Sequence, residues 1–393
     1  MRFESLEARY ITPEMRQTFS LGDVDGLPRN IGPARDMIAL KGETTGGLEA
    51  WSAIDTTKFP IYGAESTLES WALVKELGRN FIGKDFDDPR EAVRSLGYLV
   101  DHQIFKAGFA NLFMDAQAIE QGIPLAELLG GTRDKVDVGV SVSKNDTQEQ
   151  IAKRITDEKF HRIKVKVSPE EDDYVKIANI RRNFPETMLM VDANSSFDFK
   201  NPNHRSLLKK YGELGLLMIE QPLGHNDINQ HIELQEEFDQ LGIPGKVCLD
   251  ESIHTMGDVV RAVEGGIPII NVKVTRVGGL DIAKNIIEYC QERGVDTWIG
   301  GMVELTAPGK AHSLAMASHS GVTLPSDISG TSAYFKEGND PCITPMERDD
   351  EGAFISVPQS VGRGWEVDEE KMEAITKEAI LFRVNERNHS VFL

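Results

Sequence analysis

The stretch MLMVDAN at residues 188–194 decides the fold, because it is a short apolar run that ends on the carboxylate Asp192. The same design recurs on both sides of it, with IKVKV at 163–167, LLMIEQP at 216–222, VCLDE at 247–251 and IINVKV at 269–274. The charged ends follow one another at intervals of 23 to 30 residues, the length of one strand, one helix and two loops. This repeat predicts a barrel of parallel strands whose charged residues meet at one rim.

Eight strand patterns are predicted in this middle part of the chain. They lie at 136–142, 163–167, 188–194, 216–222, 247–251, 269–274, 297–301 and 322–327. Most intervals carry helical patterns, such as 173–183 and 281–293, followed by Gly or Pro near the next strand. The alternation indicates an α/β fold.

The two ends of the chain do not continue the repeat. Residues 2–11 and 35–53 have strand patterns, a capping box begins a helix at Ser66, and helices are predicted over 89–129 with a break at 122–124. These features predict a separate α+β unit. The tail, including 353–358 and 369–377, is predicted to fold back over that unit.

Composition excludes several classes of protein. A net charge of -20 opposes binding to nucleic acid or to anionic membranes. The three cysteines form no CxxC pair, which fits a reducing compartment. The first 20 residues contain no apolar signal segment, and no run of about 18 apolar residues follows. We therefore expect a cytoplasmic protein with no membrane or nucleic-acid partner.

The charged strand ends predict a chemical site. Lys164 and Lys166 are two residues apart, so they share one strand face, although an edge strand with solvated lysines would give the same pattern. Asp192, Glu220 and Asp250 each end an apolar run. A single carboxylate in that position is usually a turn former or a helix cap. Three such carboxylates in succession favour a cation site. Oxygen ligands alone favour Mg²⁺ or Mn²⁺ over zinc.

The order of these motifs resembles the enolase superfamily, specifically its muconate lactonizing enzyme subgroup. The motifs are KVK at 164–166, Asp192, EQP at 220–222, DES at 250–252 and Lys273. The resemblance covers nearly the whole chain and implies a modified TIM barrel of the (β/α)7β type at 132–332. It also implies an α+β capping domain formed by residues 1–131 and by the returning segment 333–393.

The resemblance also implies roles for the charged residues. Asp192, Glu220 and Asp250 would bind Mg²⁺ or Mn²⁺, while Lys166 and Lys273 would face opposite sides of a small carboxylate substrate. Lys164 would lower the pKa of Lys166 by like-charge repulsion. The implied reaction removes a proton α to a carboxylate and gives an enediolate, which the cation and a lysine stabilise.

Three segments are similar to the family of o-succinylbenzoate synthase and N-succinylamino acid racemase: NVKVTRVGGL at 271–280, GGMVE at 300–304 and LPSDIS at 324–329. In the synthase reaction, Lys166 would abstract the proton and then protonate the departing hydroxyl. In racemisation, Lys166 and Lys273 would alternate as base and acid. We expect this protein to form a homo-oligomer.

Further residues are candidates for substrate contact or for support of the site: Ser141, Ser143, Asn194, Glu251, Arg276, Gly301, Met302 and Ser326. Other interpretations are open. The serines at 141 and 143 could fill the barrel, Glu251 could begin a helix, and Arg276 could pair with a surface carboxylate.

Some features depart from the resemblance. Residues 15–22 resemble the corresponding segment of the family only loosely, and residues 22–33 are longer and richer in Gly and Pro than expected. Ser326 replaces the usual Gly. Dipeptide epimerases place a second Asp after the eighth strand, where this chain has Ser329. Dipeptide epimerisation, cycloisomerisation, dehydration of sugar acids and an inert metal-binding paralogue therefore stay as alternatives.

Overall fold

The computed structural model describes residues 1–24, 27–86, 88–349 and 352–384. The N-terminal part contains β1 (Phe3–Ile11), β2 (Phe19–Val24), β3 (Leu27–Ile31), β4 (Met37–Thr44), β5 (Glu49–Ile54), α1 (Thr67–Leu77), a 3-10 turn (Gly78–Phe81), α2 (Pro89–Arg94), α3 (Gln103–Gln121) and α4 (Leu125–Leu128).

The middle part begins with β6 (Lys135–Asp137), β7 (Val140–Val142), α5 (Gln148–Thr156), β8 (Arg162–Lys166), α6 (Glu171–Asn183), β9 (Met188–Asp192), α7 (Pro202–Gly212), β10 (Ile219–Glu220) and α8 (Ile228–Leu241). It continues with β11 (Val247–Leu249), α9 (Met256–Glu264), β12 (Ile269–Val272), α10 (Leu280–Glu292), β13 (Asp296–Ile299), a π-helical turn (Thr306–Lys310) and α11 (Ala311–Ala317). The tail has a 3-10 turn (Thr331–Ala333), β14 (Phe354–Ser356), α12 (Glu369–Ile375) and β15 (Thr376–Arg383).

The N-terminal part is an antiparallel sheet covered by helices. Its strand order is β15-β1-β4-β5, and α3 packs on β5. An apolar core that includes Phe3, Phe81 and Phe113 fills the space between sheet and helices. The side chain of Ser66 caps α1 by accepting a hydrogen bond from the Glu69 backbone, as the sequence predicted.

The middle part is a curled parallel sheet in which β7 to β13 lie side by side in chain order, with helices on its outer face. Residues 323–327 run between β13 and the segment that precedes β7. Asp327 N donates to Ile299 O of β13 at 2.8 Å, and Ser326 N donates to Asp137 O of β6 at 2.9 Å. The protein is therefore a modified TIM barrel with an N-terminal capping unit, as predicted.

Some predicted strands were wrong in detail. The segment 322–327 makes an isolated bridge between Ser326 and Val138 instead of a regular strand. The segment 136–142 is divided into β6 and β7 at Gly139, where an added Cβ would lie 2.3 Å from the buried Arg162 side chain. The backbone at Gly139 therefore passes close to that guanidinium, where no larger residue would fit.

The tail departs from its prediction in two places. β14 pairs antiparallel with β6, so residues 354–356 lie on the barrel and not over the first domain. The predicted helix 369–377 ends at Ile375, because the alternating run that follows forms β15 and pairs with β1. The domain boundaries at 131 and 332 stay a proposal.

The segment 16–33 contains the antiparallel pair β2 and β3, while residues 25 and 26 lie outside the described residues. Among the described residues, no helix combines the length and the apolar character that a bilayer span requires.

The sheet register brings the charged residues together. Lys166 pairs with Asp192 across β8 and β9, and Asp192 pairs with Glu220 across β9 and β10. Because the strands are parallel, these residues all lie at the carboxyl-terminal rim, where TIM-barrel enzymes place their active sites.

Candidate active site

A pocket of about 670 Å³, counted to its mouth, lies at this rim. The barrel and the segment after it contribute Ser141, Lys164, Lys166, Asp192, Asn194, Asp250, Lys273, Gly301, Met302, Val303, Asp327 and Tyr334. The N-terminal part contributes Ile31, Arg35, Thr57 and Tyr62. The pocket is therefore built by both parts of the molecule.

Lys164 lies at the centre of a group of carboxylates. Its Nζ is 3.2 Å from Glu220 Oε2, 3.2 Å from Asp327 Oδ2 and 3.6 Å from Asp192 Oδ2. Its ammonium also lies 5.0 Å from the ring centre of Trp298. Burial disfavours the charged form of Lys164, but Glu220 and Asp327 outweigh burial and raise its pKa.

Lys166 has a different environment on the same strand face. Its Nζ donates to Asn194 Oδ1 at 2.8 Å, and Asn194 Nδ2 donates to Glu251 Oε1 at 3.0 Å. Burial lowers the pKa of Lys166; the charge of Asp192 opposes this effect and that of Lys164 adds to it. The predicted repulsion by Lys164 is present, but burial is the larger cause.

Lys273 lies across the pocket, just after β12, and is held in its charged form. Its Nζ is 3.0 Å from Asp250 Oδ2 and also donates to the hydroxyl of Tyr62. Burial disfavours that charge, but Asp250 and Tyr62 outweigh it and raise the pKa of Lys273. Arg276 donates to Tyr62 at 3.1 Å and to Asp250, so both cations meet the same carboxylate.

Glu220 is the most enclosed carboxylate of the site. It has no exposed surface, and its Oε1 accepts a hydrogen bond from Asn271 at 2.7 Å. Its Oε2 lies near Lys164 but accepts no hydrogen bond from the described part of the chain. Burial raises the pKa of Glu220, and the charges of Asp192 and Asp250 raise it further.

Within the described residues, no three His, Cys, Asp or Glu side chains stand close enough to form a ready metal cage. The ion pairs give the reason, because Lys164 lies between Asp192 and Glu220 while Lys273 and Arg276 occupy the two oxygens of Asp250. The three predicted ligands are at one rim, but they are paired with cations.

Most of the other predicted residues line the pocket or a cavity next to it. Ser141, Asn194, Gly301 and Met302 line the pocket, and Ser141 donates to Asp327 Oδ2 at 2.8 Å. Glu251 and Arg276 line an adjoining cavity that shares Tyr62 with the pocket.

Two of these candidates line neither the pocket nor the adjoining cavity. Ser143 is exposed, and its hydroxyl accepts from Asn145 N at 3.2 Å. Ser326 is buried in the barrel wall, where its hydroxyl accepts from Ile299 N at 3.2 Å. Each hydroxyl accepts a hydrogen bond from a backbone N–H outside the pocket, so neither side chain lies in the site.

Sequence reasoning assigned no role to Tyr62, Arg35 or Asp327. Asp327 follows a strand-like run and carried the same signal as Asp192, so it could have been found. Tyr62 and Arg35 come from the N-terminal part, and no local pattern connects them to the barrel rim. Their positions depend on how the two parts of the chain pack.

Comparison with known proteins gives a consistent result. Residues 146–371 match the family model described as enolase C-terminal domain-like. The chain is 37% identical over 343 residues to the o-succinylbenzoate synthase of Bacillus subtilis, covering 86% of this chain and 88% of that protein. It is 32% identical over 369 residues to the N-succinylamino acid racemase of Thermus thermophilus, covering 93% and 94%.

Solved structures show the same relationship. An enolase superfamily member from Listeria innocua superimposes with a TM-score of 0.89 at 27% identity, covering 98% of this chain and all of that one. The muconate lactonizing enzyme of Pseudomonas putida gives a TM-score of 0.82 at 20% identity, covering 96% of this chain and 100% of that one, which shows a shared fold.

Proposed function

The chain belongs to the enolase C-terminal domain-like family, and from that premise we propose that it removes a proton α to the carboxylate of a small acid. One observation carries the proposal: Lys166 at the end of β8 and Lys273 just after β12 line the same pocket. The three strands that lead to the carboxylates, β9, β10 and β11, lie between them. A planar enediolate has two faces, and this arrangement offers one amine to each face. A positioned amine is a suitable acid or base for such proton transfer.

We assign the reaction to o-succinylbenzoate synthesis, racemisation of N-succinylamino acids, or both, because relatives with each name match most of the chain. In the synthase reaction Lys166 takes the α proton and returns it to the departing hydroxyl. The two lysines differ in the way this reaction requires. Lys166 has a lowered pKa and is suited to act as a base, whereas Lys273 has a raised pKa and is suited to stabilise negative charge.

Enolase superfamily enzymes typically use a divalent metal, and the donor set here fits Mg²⁺. Asp192, Glu220 and Asp250 would hold it, and the enclosed Oε2 of Glu220, which accepts no hydrogen bond from the described residues, is a suitable ligand atom. Bound Mg²⁺ would supply positive charge to the enediolate oxygens. Asp250 Oδ2 also lies 3.0 Å from Lys273 Nζ, so a cation held by Asp250 would share this carboxylate with Lys273.

The decisive test is hydrogen exchange in deuterated water with Mg²⁺ present. The synthase substrate and a panel of N-acylamino acids are incubated with the protein, and mass spectrometry measures deuterium at the α carbon. We expect deuterium in at least one substrate and a loss of the signal with a chelator. Protein that has Mg²⁺ bound by calorimetry, yet neither exchanges an α proton nor dehydrates the synthase substrate, would contradict the proposal.

The expected homo-oligomer and cytoplasmic location stay predictions.

A further inference from the structure

Carboxylates attract Lys164 from both sides of its strand. The strand β8 lies between β7 and β9 in the barrel sheet. Asp192 and Glu220, at the ends of β9 and β10, attract the ammonium from one side. Asp327 attracts it from the side of β7, where Ser141 donates to the same Asp327 oxygen, Oδ2, at 2.8 Å. Lys164 is therefore shared between the proposed metal ligands and a carboxylate that is not one of them.

The three contacts of Lys164 differ in their bonding. Its Nζ lies 3.6 Å from Asp192 Oδ2, which is the longest of the three distances. Glu220 Oε2 lies at 3.2 Å but accepts no hydrogen bond from the described residues. Asp327 Oδ2 also lies at 3.2 Å, and it accepts a hydrogen bond from Lys164 in addition to the ion pair. Hydrogen bonds between ionised groups are strong, so the contact with Asp327 is the best bonded of the three.

A bound divalent cation would change the balance between the two sides. A cation held by Asp192 and Glu220 carries two positive charges, which equal the two negative charges of these carboxylates. Their net attraction for Lys164 is then cancelled, whereas Asp327 keeps its charge. Lys164 is 5% exposed, and a buried ammonium without a counter-ion is costly. Lys164 therefore depends on Asp327 most when the cation is bound.

A purely structural role for Asp327 would be to fix the segment 323–327 against its neighbours. Other groups already make those bonds. The backbone N of Asp327 donates to Ile299 O at 2.8 Å. The side chain of Arg162 donates to the backbone oxygens of Pro325 and Ser326 at 3.0 and 3.2 Å. None of these bonds uses the Asp327 carboxylate, which is thus available to hold a cationic side chain.

We propose that Asp327 is a positioning residue that holds Lys164 beside the metal ligands and so allows Asp192 and Glu220 to bind a divalent cation. This inference rests on the metal site of the proposed function. Without the charge of Asp327, the ion pairs of Lys164 within the described residues are those with Asp192 and Glu220. The ammonium then competes with the cation for both carboxylates, and the cation binds more weakly.

The test is a double-mutant cycle in which calorimetry measures the Kd for Mg²⁺ in the absence of substrate. The four proteins are the wild type, Asp327→Asn, Lys164→Met and the double variant. Asp296→Asn is the matched control, since it removes the same charge at the start of β13, at the opposite end of the barrel from the rim. Circular dichroism shows whether each variant is folded.

Asp327→Asn should raise the Kd for Mg²⁺ by roughly ten- to a hundredfold, within the range of coupling between residues in contact. In the Lys164→Met background the increase should be smaller by about threefold or more, because no ammonium is left to hold. Asp296→Asn should leave the Kd unchanged. An unchanged Kd in folded Asp327→Asn overturns the inference. An equal or larger increase in the Lys164→Met background also overturns it, because Asp327 would then act on the cation directly.

A crystal structure of the wild type with Mg²⁺ bound tests the inference without any variant. Lys164 Nζ should lie within about 4 Å of Asp327, the limit of an ion pair, and a longer distance overturns the inference. The proposed function can fail separately. A wild type that binds Mg²⁺ but acts on no substrate contradicts that function, and the Kd values still test Asp327. A wild type that binds no Mg²⁺ overturns this inference together with the metal site.

Discussion

Two groups of buried charges lie next to each other in this protein and behave differently. The first, which we call the pocket group, contains Lys164, Asp250, Lys273, Arg276 and Asp327. The second, which we call the Arg35 cluster, contains Arg35, Asp55, Glu304 and Lys310, all at most 2% exposed. It joins the N-terminal sheet to the segment that follows β13. Both groups combine acids with bases at similar burial. The difference in the ionisation of their carboxylates therefore depends on whether a cation bonds to each carboxylate directly.

In the pocket, opposite charges bond directly. Asp250 contacts Lys273 and Arg276, and although burial works against its charge, these two cations hold the pKa of Asp250 below its usual range. Asp327 behaves in the same way, since Lys164 and Arg162 outweigh burial and lower its pKa. The pocket therefore keeps these carboxylates ionised.

In the Arg35 cluster, the described hydrogen bonds of the charged groups go to neutral partners. Glu304 accepts from Ser313 at 3.2 Å, and Lys310 donates to the backbone oxygen of Ser329 at 2.9 Å. Burial raises the pKa of Asp55 to about 6 and that of Glu304 to about 8. A buried carboxylate thus stays ionised where a cation bonds to it directly. Where no cation bonds to it directly, burial raises its pKa and favours the neutral acid.

The largest expected effects come from the pocket lysines. Lys166→Met should lower the synthase rate by roughly 10²- to 10⁴-fold, because a positioned general base contributes that much. The melting temperature should change little, since burial already disfavours the charge of Lys166 and methionine is an unbranched side chain as well. Steady-state kinetics and calorimetry measure the two effects, with the exposed Lys153→Met as the matched control. A variant with more than a tenth of the wild-type rate would contradict the assignment.

A second prediction concerns the pH dependence of the reaction. Lys166 must be neutral to accept a proton, so kcat/KM should rise with pH until Lys166 is deprotonated. Because the charge of Lys164 lowers the pKa of Lys166, Lys164→Met should move this rise to higher pH. The pH profiles of the wild type, Lys164→Met and Lys153→Met provide the test. An unchanged or more acidic profile in Lys164→Met would show that the two lysines are not coupled.

The smallest expected effect concerns stability and the Arg35 cluster. The pKa of Glu304 is about 8 in the folded protein and near 4.5 when exposed, so the folded state binds more protons between these values. The free energy of unfolding must then fall as pH rises from 4.5 to 8, by about 2 kcal/mol between pH 6 and 8.

Glu304→Gln should remove this part of the pH dependence. Urea unfolding of the wild type and the variant at pH 6 and pH 8 gives the difference, in which the other titrating groups cancel. The rate of the variant at pH 8 should stay close to that of the wild type. Equal pH dependence in the two proteins would show that Glu304 is ionised throughout, as the pocket carboxylates Asp250 and Asp327 are.

The comparison also explains what the sequence could predict. Asp192, Glu220 and Asp250 end apolar strands, and strand parity and repeat length bring them to one rim without any tertiary information. Asp327 carries the same local signal. Arg35 and Tyr62 have no such signal, because they reach the pocket only through packing of the N-terminal part on the barrel. The location of β14 was predicted wrongly for the same reason, because it depends on pairing with β6, a partner about 220 residues earlier in the chain.

The central claim is that Lys166 and Lys273 act on opposite faces of one substrate. It is tested most directly by incubating each enantiomer of an N-succinylamino acid separately in deuterated water with Lys166→Ala and with Lys273→Ala, Mg²⁺ present. Neither variant should racemise; each should exchange the α proton of one enantiomer only, and the two variants should exchange opposite enantiomers. Exchange of both enantiomers by either variant, or of the same enantiomer by both, would contradict the account.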